Sequence, residues 1–168
     1  MTRVTNPRPR ITKVISGGQT GVDRAALDVA LELGISCGGW CPRARMAEDG
    51  PIPDRYPLME TATSDFAVRT ELNVLHSEGT LIFSLGELSG GTLLTRQCAQ
   101  HHAKPWLISH LDDPDRPDDI GRWLSARRIK VLNVAGPRES QRPGFVYKAA
   151  RKLLQTYLLA FLPKQPGS

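Results

Sequence analysis

Long apolar runs are missing. Nowhere do the 168 residues approach the roughly 20 consecutive apolar positions of a membrane-spanning helix. Residues 1–10 are polar and basic and include Pro7 and Pro9, with no apolar centre for a secretory leader. Cysteine is scarce and odd in number, at Cys37, Cys41 and Cys98, which argues against a disulfide framework. Cys37-x-x-x-Cys41 and Cys98-x-x-His101 lack the paired organisation of a structural zinc site, so all three read as free thiols. No basic stripe or reading motif for nucleic acid is present. The net charge is only +5 and the basic residues are scattered, with Arg127-Arg128-Ile129-Lys130 the densest cluster. These absences leave a cytoplasmic protein without nucleic-acid or membrane partners as the expectation. The mild positive excess suits a small anionic ligand.

The remaining composition is ordinary for a globular chain, 40% hydrophobic and 23% charged. One domain over residues 11–162 is expected, with a flexible arm at 1–10 and a flexible tail at 163–168. Apolar β-branched runs predict strands at 11–16, 35–40, 79–85, 105–110 and 129–134. Helical spacing predicts helices at 22–33, 64–77, 92–103, 120–126 and 143–161. Ser64 is the expected cap of the second helix, and Pro143 suits the first turn of the last. Residues 41–60 hold Pro42, Pro51, Pro53 and Pro57. A connection this long inside a compact domain is unusual, and its prolines favour an ordered path. Strands alternating with helices give a single three-layer α/β domain with a mainly parallel sheet flanked by helices.

Three polar, glycine-rich stretches each follow a strand. They therefore share the carboxyl edge of the sheet, where ligands of such folds bind. The first is Ser16-Gly17-Gly18-Gln19-Thr20-Gly21, opening the first helix. Unpaired N–H groups at a helix start make a candidate anion cradle. Thr20 can cap the helix or donate to a phosphate oxygen, and Arg24 can pair with an anion. No Gly-Lys-Ser/Thr follows, so this is not a Walker A loop. Ser16 stands in the first place of a G-x-G-x-x-G pattern, and no acidic residue ends the second strand, which argues against classical NAD binding. The second stretch runs from Ser84 to Thr92 and contains Ser89-Gly90-Gly91-Thr92. The third contains Asn133, Gly136, Arg138 and Glu139. The competing readings are a tight turn without ligand, a mobile surface loop, and a surface Arg138–Glu139 ion pair. Arg69, Thr70, Glu71 and Asn73 are compatible with a plain solvated helix face. His76, His101, His102 and His110 pair with no nucleophile and read as structural.

Taken together, these blocks resemble the molybdenum carrier family, the molybdenum-cofactor carrier proteins. The resemblance spans about residues 11–160. It is carried by Ser16-Gly17-Gly18-Gln19-Thr20-Gly21-Val22-Asp23-Arg24, Gly38-Gly39-Trp40-Cys41-Pro42, Ala47-Glu48-Asp49-Gly50-Pro51, Arg69-Thr70-Glu71-x-Asn73, Gly90-Gly91-Thr92 and Asn133-Val134-Ala135-Gly136-Pro137-Arg138-Glu139-Ser140. It implies a Rossmann-like fold of the wider group that includes lonely-guy phosphoribohydrolases and Sir2- and TIR-like nucleotide binders. It also implies a homo-dimer or homo-tetramer. Some members of the family bind the molybdenum cofactor (molybdopterin, a phosphorylated pterin), protect it and pass it to molybdoenzyme apo-proteins without catalysis. On this chain the resemblance implies phosphate-holding loops at Gly17 to Gly21 and Gly90 to Thr92. It further implies that Trp40 and the insert around Arg45 cover the pterin.

Two alternatives belong to other classes. A nucleoside-monophosphate phosphoribohydrolase would need an acid or base beside the phosphate, with Glu71 or Glu139 and Arg69 or Arg138 as candidates. Its pattern is incomplete, because Thr95 stands where the lonely-guy glutamate should fall. A nucleotide- or ADP-ribose-sensing module would bind without turnover.

Overall fold

The computed structural model describes residues 10–113 and 118–162, so of the arm expected over residues 1–10 only Arg10 is described, and the tail expected over 163–168 lies outside the described residues. Strand β1 (Lys13–Ile15) leads through the first glycine loop into helix α1 (Val22–Glu32). Apart from Asp23, the buried positions of α1 are small or branched, and Val22, Ala25, Ala26, Val29 and Ala30 are sealed from solvent. Gly34, at φ +67°, then turns the chain back as a left-handed cap. Strand β2 (Ser36–Gly38) follows. Four two-residue strands come next: β3 (Trp40–Cys41), β4 (Met46–Ala47), β5 (Gly50–Pro51) and β6 (Met59–Glu60). Helix α2 (Phe66–Leu75) precedes β7 (Gly79–Ser84), α3 (Gly90–His101) and β8 (Trp106–His110). Helix α4 (Asp118–Arg127), β9 (Val131–Ala135) and α5 (Val146–Ala160) complete the chain.

Five strands form one sheet in the order β2-β1-β9-β7-β8, and every pairing in it is parallel. Strand β7 is buried at all six positions, as a strand covered on both faces must be. Its Leu81 and Phe83 join Leu132 and Val134 of β9 in the core under α1, α4 and α5. Alternation sends Thr80 and Asn133 to the opposite face, where Asn133 Nδ2 donates to Thr80 Oγ1 at 3.3 Å. Leu154, Tyr157 and Leu158 of α5, which the sequence leaves open between core and interface, are core. No helix among the described residues is long and apolar enough to cross a membrane.

Most elements start within one to three residues of expectation, and the starts of α2 and α5 differ in how they are capped. Helix α2 is capped by Asp65, whose carboxylate accepts the Ala67 N–H at 2.9 Å, and Ser64 does not cap it. Its inward face is also more polar than its apolar pattern suggested. Asn73 and Val74 are buried while Phe66 and Leu75 are exposed, because Asn73 clasps the Trp40 backbone with bonds of 2.7 and 3.0 Å. The last helix starts at Val146, three residues after Pro143. The Glu139 carboxylate accepts the N–H groups of Gly144 and Tyr147, both at 2.8 Å, and holds an irregular turn ahead of the helix.

Residues 41–60 form an ordered strap, held by two small ribbons, β3–β6 parallel and β4–β5 antiparallel. Cys41, Ile52, Tyr56 and Leu58 bury themselves against Leu27 of α1 as a second, smaller core. The Arg45 guanidinium lies within the strap and donates to the carbonyls of Ile52, Pro53, Tyr56 and Leu58 at 2.8–3.3 Å. These bonds offset the strain of Ala44 and Arg45, which both sit at positive φ.

Candidate functional site

At the carboxyl edge of β1, β9 and β7, the loops that follow these strands surround one cleft of ≈ 210 Å³. Loop one contributes Gly17, Gln19 and Asp23, loop two Gly90, Gly91, Thr92 and Thr95, and loop three Gly136, Arg138 and Gln141. Asn133 and Ala135 of β9 form the floor. Arg69, Thr70 and Asn73 of α2 close one side.

The first and second loops end in different states. In loop one, three of the N–H groups nearest the start of α1 are taken. Gln19 N–H donates to Asp23 Oδ2 at 3.1 Å, Thr20 N–H to Gln19 Oε1 at 3.1 Å, and Val22 N–H to the Pro137 carbonyl at 3.3 Å. Asp23, in the first turn of α1, is therefore the loop's own anion. Burial pushes the Asp23 carboxyl up, against the pull of Arg69, the loop N–H groups and the Ser16 hydroxyl. Arg69 donates from Nη1 to the Gly17 carbonyl at 2.9 Å, and burial lowers its pKa against the opposing charge of Asp23. Gly17 lies between the two, since a Cβ there would stand 2.7 Å from Arg69 Nη1 and 3.1 Å from Asp23 Oδ2. Gly21, at φ +79°, is required by the close approach of loop three. A Cβ there would meet the Pro137 carbonyl oxygen at 2.6 Å.

Loop two is open. No acceptor among the described residues takes the N–H of Gly90 or Gly91 at the start of α3. Thr92 Oγ1 donates to the Ser89 carbonyl at 2.7 Å and so caps its own turn. Ser89 itself is exposed at the rim. Arg138 faces the cleft with a side chain 44% exposed, and its nearest carboxylate, Glu48, is 3.9 Å away. The free positive end of α3 and this half-exposed guanidinium can together hold an anionic group.

Several residues expected at the site are committed elsewhere. Thr20 donates to Glu48 Oε1 and accepts from Glu139 N–H, so its hydroxyl joins strap to loop three on the side away from the cleft. Arg24 makes a two-pronged pair with Asp49 of the strap at 2.5 and 2.7 Å. Gly18 backs onto Ile52 and Leu58. Trp40 donates from Nε1 to His76 Nδ1 at 2.7 Å and does not line the cleft. Arg45 is consumed by strap carbonyls and Glu139 by the start of α5, as described above. Ser84 donates to the Gly86 carbonyl at 2.6 Å, outside the cleft. Of the two acids weighed for base release, Glu71 pairs with His102 at 2.7 Å and does not line the cleft, and neither does Glu139.

A model of the circularly permutated YpsA SLOG family matches residues 14–158. The chain belongs to that family. A crystal structure named putative molybdenum carrier protein, from Syntrophus aciditrophicus, is 48% identical and superposes with a TM-score of 0.86. The match covers 91% of this chain and 98% of that one. No curated protein matches. The family match spans all three loops, the strap and Arg69.

Sequence reasoning did not single out Asp23, Thr95 or Gln141 for the cleft, and it left Arg69, Thr70 and Asn73 undecided. Thr95 had a usable signal, because it lies three residues after Thr92 on one helix face. Arg69 had none, since its reach under loop one depends on the tertiary fold.

Proposed function

We propose that the chain binds, protects and delivers the molybdenum cofactor as cargo, without catalysis. The single observation that carries the reading is the open loop two, which shares its cleft with Arg138. It offers an anion site at the strand ends of a chain 48% identical to a protein named as a molybdenum carrier. The terminal phosphate of the phosphorylated pterin docks on the Gly90 and Gly91 N–H groups, and Arg138 approaches from loop three. An exposed anion at such a helix start gains about 0.3–1 kcal/mol from the helix, and more when partly buried. The same reading includes a homo-dimer or homo-tetramer, a cytoplasmic setting and molybdoenzyme apo-proteins as recipients.

The test is retention. Purified protein is incubated with molybdenum cofactor and desalted, and the retained pterin is measured by fluorescence after oxidation, with AMP and ADP-ribose run in parallel. Close to one pterin per chain is expected for the wild type, with near-complete loss in Gly91→Asp. Position 91 has open space for a side chain, so the new carboxylate occupies the anion site without a clash. Thermal stability stays level or rises slightly, since an acidic residue in a first helical turn is favourable. Failure to retain pterin, with a nucleotide retained or cleaved instead, refutes the carrier reading.

A further inference from the structure

Gln19 lines the cleft and is only 5% exposed. Its Oε1 accepts two backbone N–H groups, from Thr20 at 3.1 Å and from Glu48 of the strap at 3.0 Å. A flipped carboxamide would aim its NH2 at two donors, so these bonds fix which end is nitrogen. The Nε2 that results is sealed from solvent and has no partner among the described residues. An unpaired buried donor of this kind is left without the hydrogen bond it had in water, so its presence at a cleft wall calls for an acceptor.

The sheet order gives the distance. Loop one follows β1 and loop two follows β7, with β9 between them. Two strand spacings set the ends of β1 and β7, from which these loops spring, about 10 Å apart. That is of the order of the reach from phosphate to heterocycle in a phosphorylated pterin or a nucleoside monophosphate. The charge pattern agrees. The α3 end offers unpaired N–H groups, whereas the loop-one end already carries the Asp23 carboxylate and suits an uncharged group.

We propose that Gln19 reads the ring end of the ligand, its Nε2 donating to a heterocyclic carbonyl oxygen or ring nitrogen while the phosphate rests on α3. The strap takes part indirectly, because the Glu48 N–H holds the carboxamide in the donating orientation. Glu48 is thus a positioning residue. This inference rests on the phosphorylated-ligand reading above and adds which end of the ligand faces which loop.

The test compares wild type with Gln19→Glu, titrated anaerobically with molybdenum cofactor and separately with inorganic phosphate. Glutamate keeps an oxygen for both backbone N–H groups but replaces the free donor with an acceptor. The expected result is at least tenfold weaker cofactor binding, phosphate binding changed less than threefold, and a melting temperature within about 2 °C. In the wild type, the Gln19 side-chain amide resonances, assigned by their absence from the variant spectrum, shift downfield when cofactor is added. Equal cofactor affinity in both proteins, or unmoved amide resonances, overturns the role of Gln19 and leaves the carrier reading standing. Equal losses for cofactor and phosphate also overturn it, because the variant then acts through charge alone. A wild type that binds no cofactor overturns both readings.

Discussion

Replacing Glu48 with alanine should loosen the strap while leaving the sheet intact. The Glu48 carboxylate accepts from the Thr20 hydroxyl, from the Ser140 hydroxyl at 2.5 Å and from the Ser140 N–H at 3.2 Å. One side chain thus ties residues 41–60 to loops one and three. Bonds to a charged acceptor contribute roughly 1.5–3 kcal/mol each when protected, but this cluster lies at the surface and solvent screens it, so about 2 kcal/mol in total is a reasonable expectation. For a domain of this size that lowers the melting temperature by about 4–8 °C. Amide exchange should localise the effect, with faster exchange at residues 43–60 and unchanged protection in β7 and β9. Burial opposes ionisation of Glu48, but the Ser140 and Thr20 hydroxyls, the Ser140 N–H and Arg138 together hold its carboxyl below the ordinary value of 4.5. A carboxyl depressed by folding stabilises above its unfolded pKa, and that contribution is lost as pH falls through the folded one. The gap between wild type and variant is therefore full near neutrality and closes in acid below 4.5. An E48A melting temperature within 1 °C of wild type at neutral pH, or a gap that widens in acid, refutes the latch.

Two further substitutions separate structure from binding. Thr20→Val removes the acceptor of the Glu139 N–H and a donor to Glu48, so it should destabilise by about 1–2 kcal/mol and leave inorganic phosphate affinity unchanged. Arg138→Ala should do the reverse, weakening phosphate binding several-fold while stability moves by about 0–1 kcal/mol, as for other exposed pairs. Arg45→Lys should destabilise by about 2 kcal/mol, because one ammonium cannot reach the four carbonyls that the planar guanidinium serves. Thermal melts check the stability terms, and calorimetric titration with phosphate checks the binding terms.

The parallel sheet and the three strand-end loops were legible because their signals are local. Val14 and Ile15 run straight into Gly17 and Gly18, and Ala25, Ala26, Val29 and Ala30 repeat at helical spacing. The inward face of α2 was not legible, because hydropathy points to Phe66 and Leu75 while tertiary bonds select Asn73 and Arg69. Arg24 and Glu139 were assigned to the ligand by their place in the glycine stretches, and Arg45 by the family resemblance. Each is occupied by a partner whose position depends on how the strap or α5 packs: Asp49 for Arg24, four carbonyls for Arg45 and two N–H groups for Glu139. Asn133 was expected at the end of its strand. It lies two residues inside, because β9 continues to Ala135, and it reaches the cleft from the floor.

Loops one and two look alike in sequence, each a pair of glycines after a parallel strand, yet only one is available to an anion. The difference is Asp23. A carboxylate in the first turn of α1, held against the Gln19 N–H, fills the place where a phosphate would sit and repels one that approaches. No carboxylate stands in the first turn of α3, where the N–H groups of Gly90 and Gly91 are left uncovered among the described residues. The cleft is therefore polarised along the sheet edge, with uncovered N–H groups at the start of α3 and a compensated pair, Asp23 and Arg69, at loop one. A phosphorylated ligand can enter this field with its charge toward loop two, whereas the opposite orientation sets phosphate against Asp23. On the proposed reading the first glycine motif, the most conspicuous feature of the sequence, would set the direction of the ligand and leave the grip on its charge to the second.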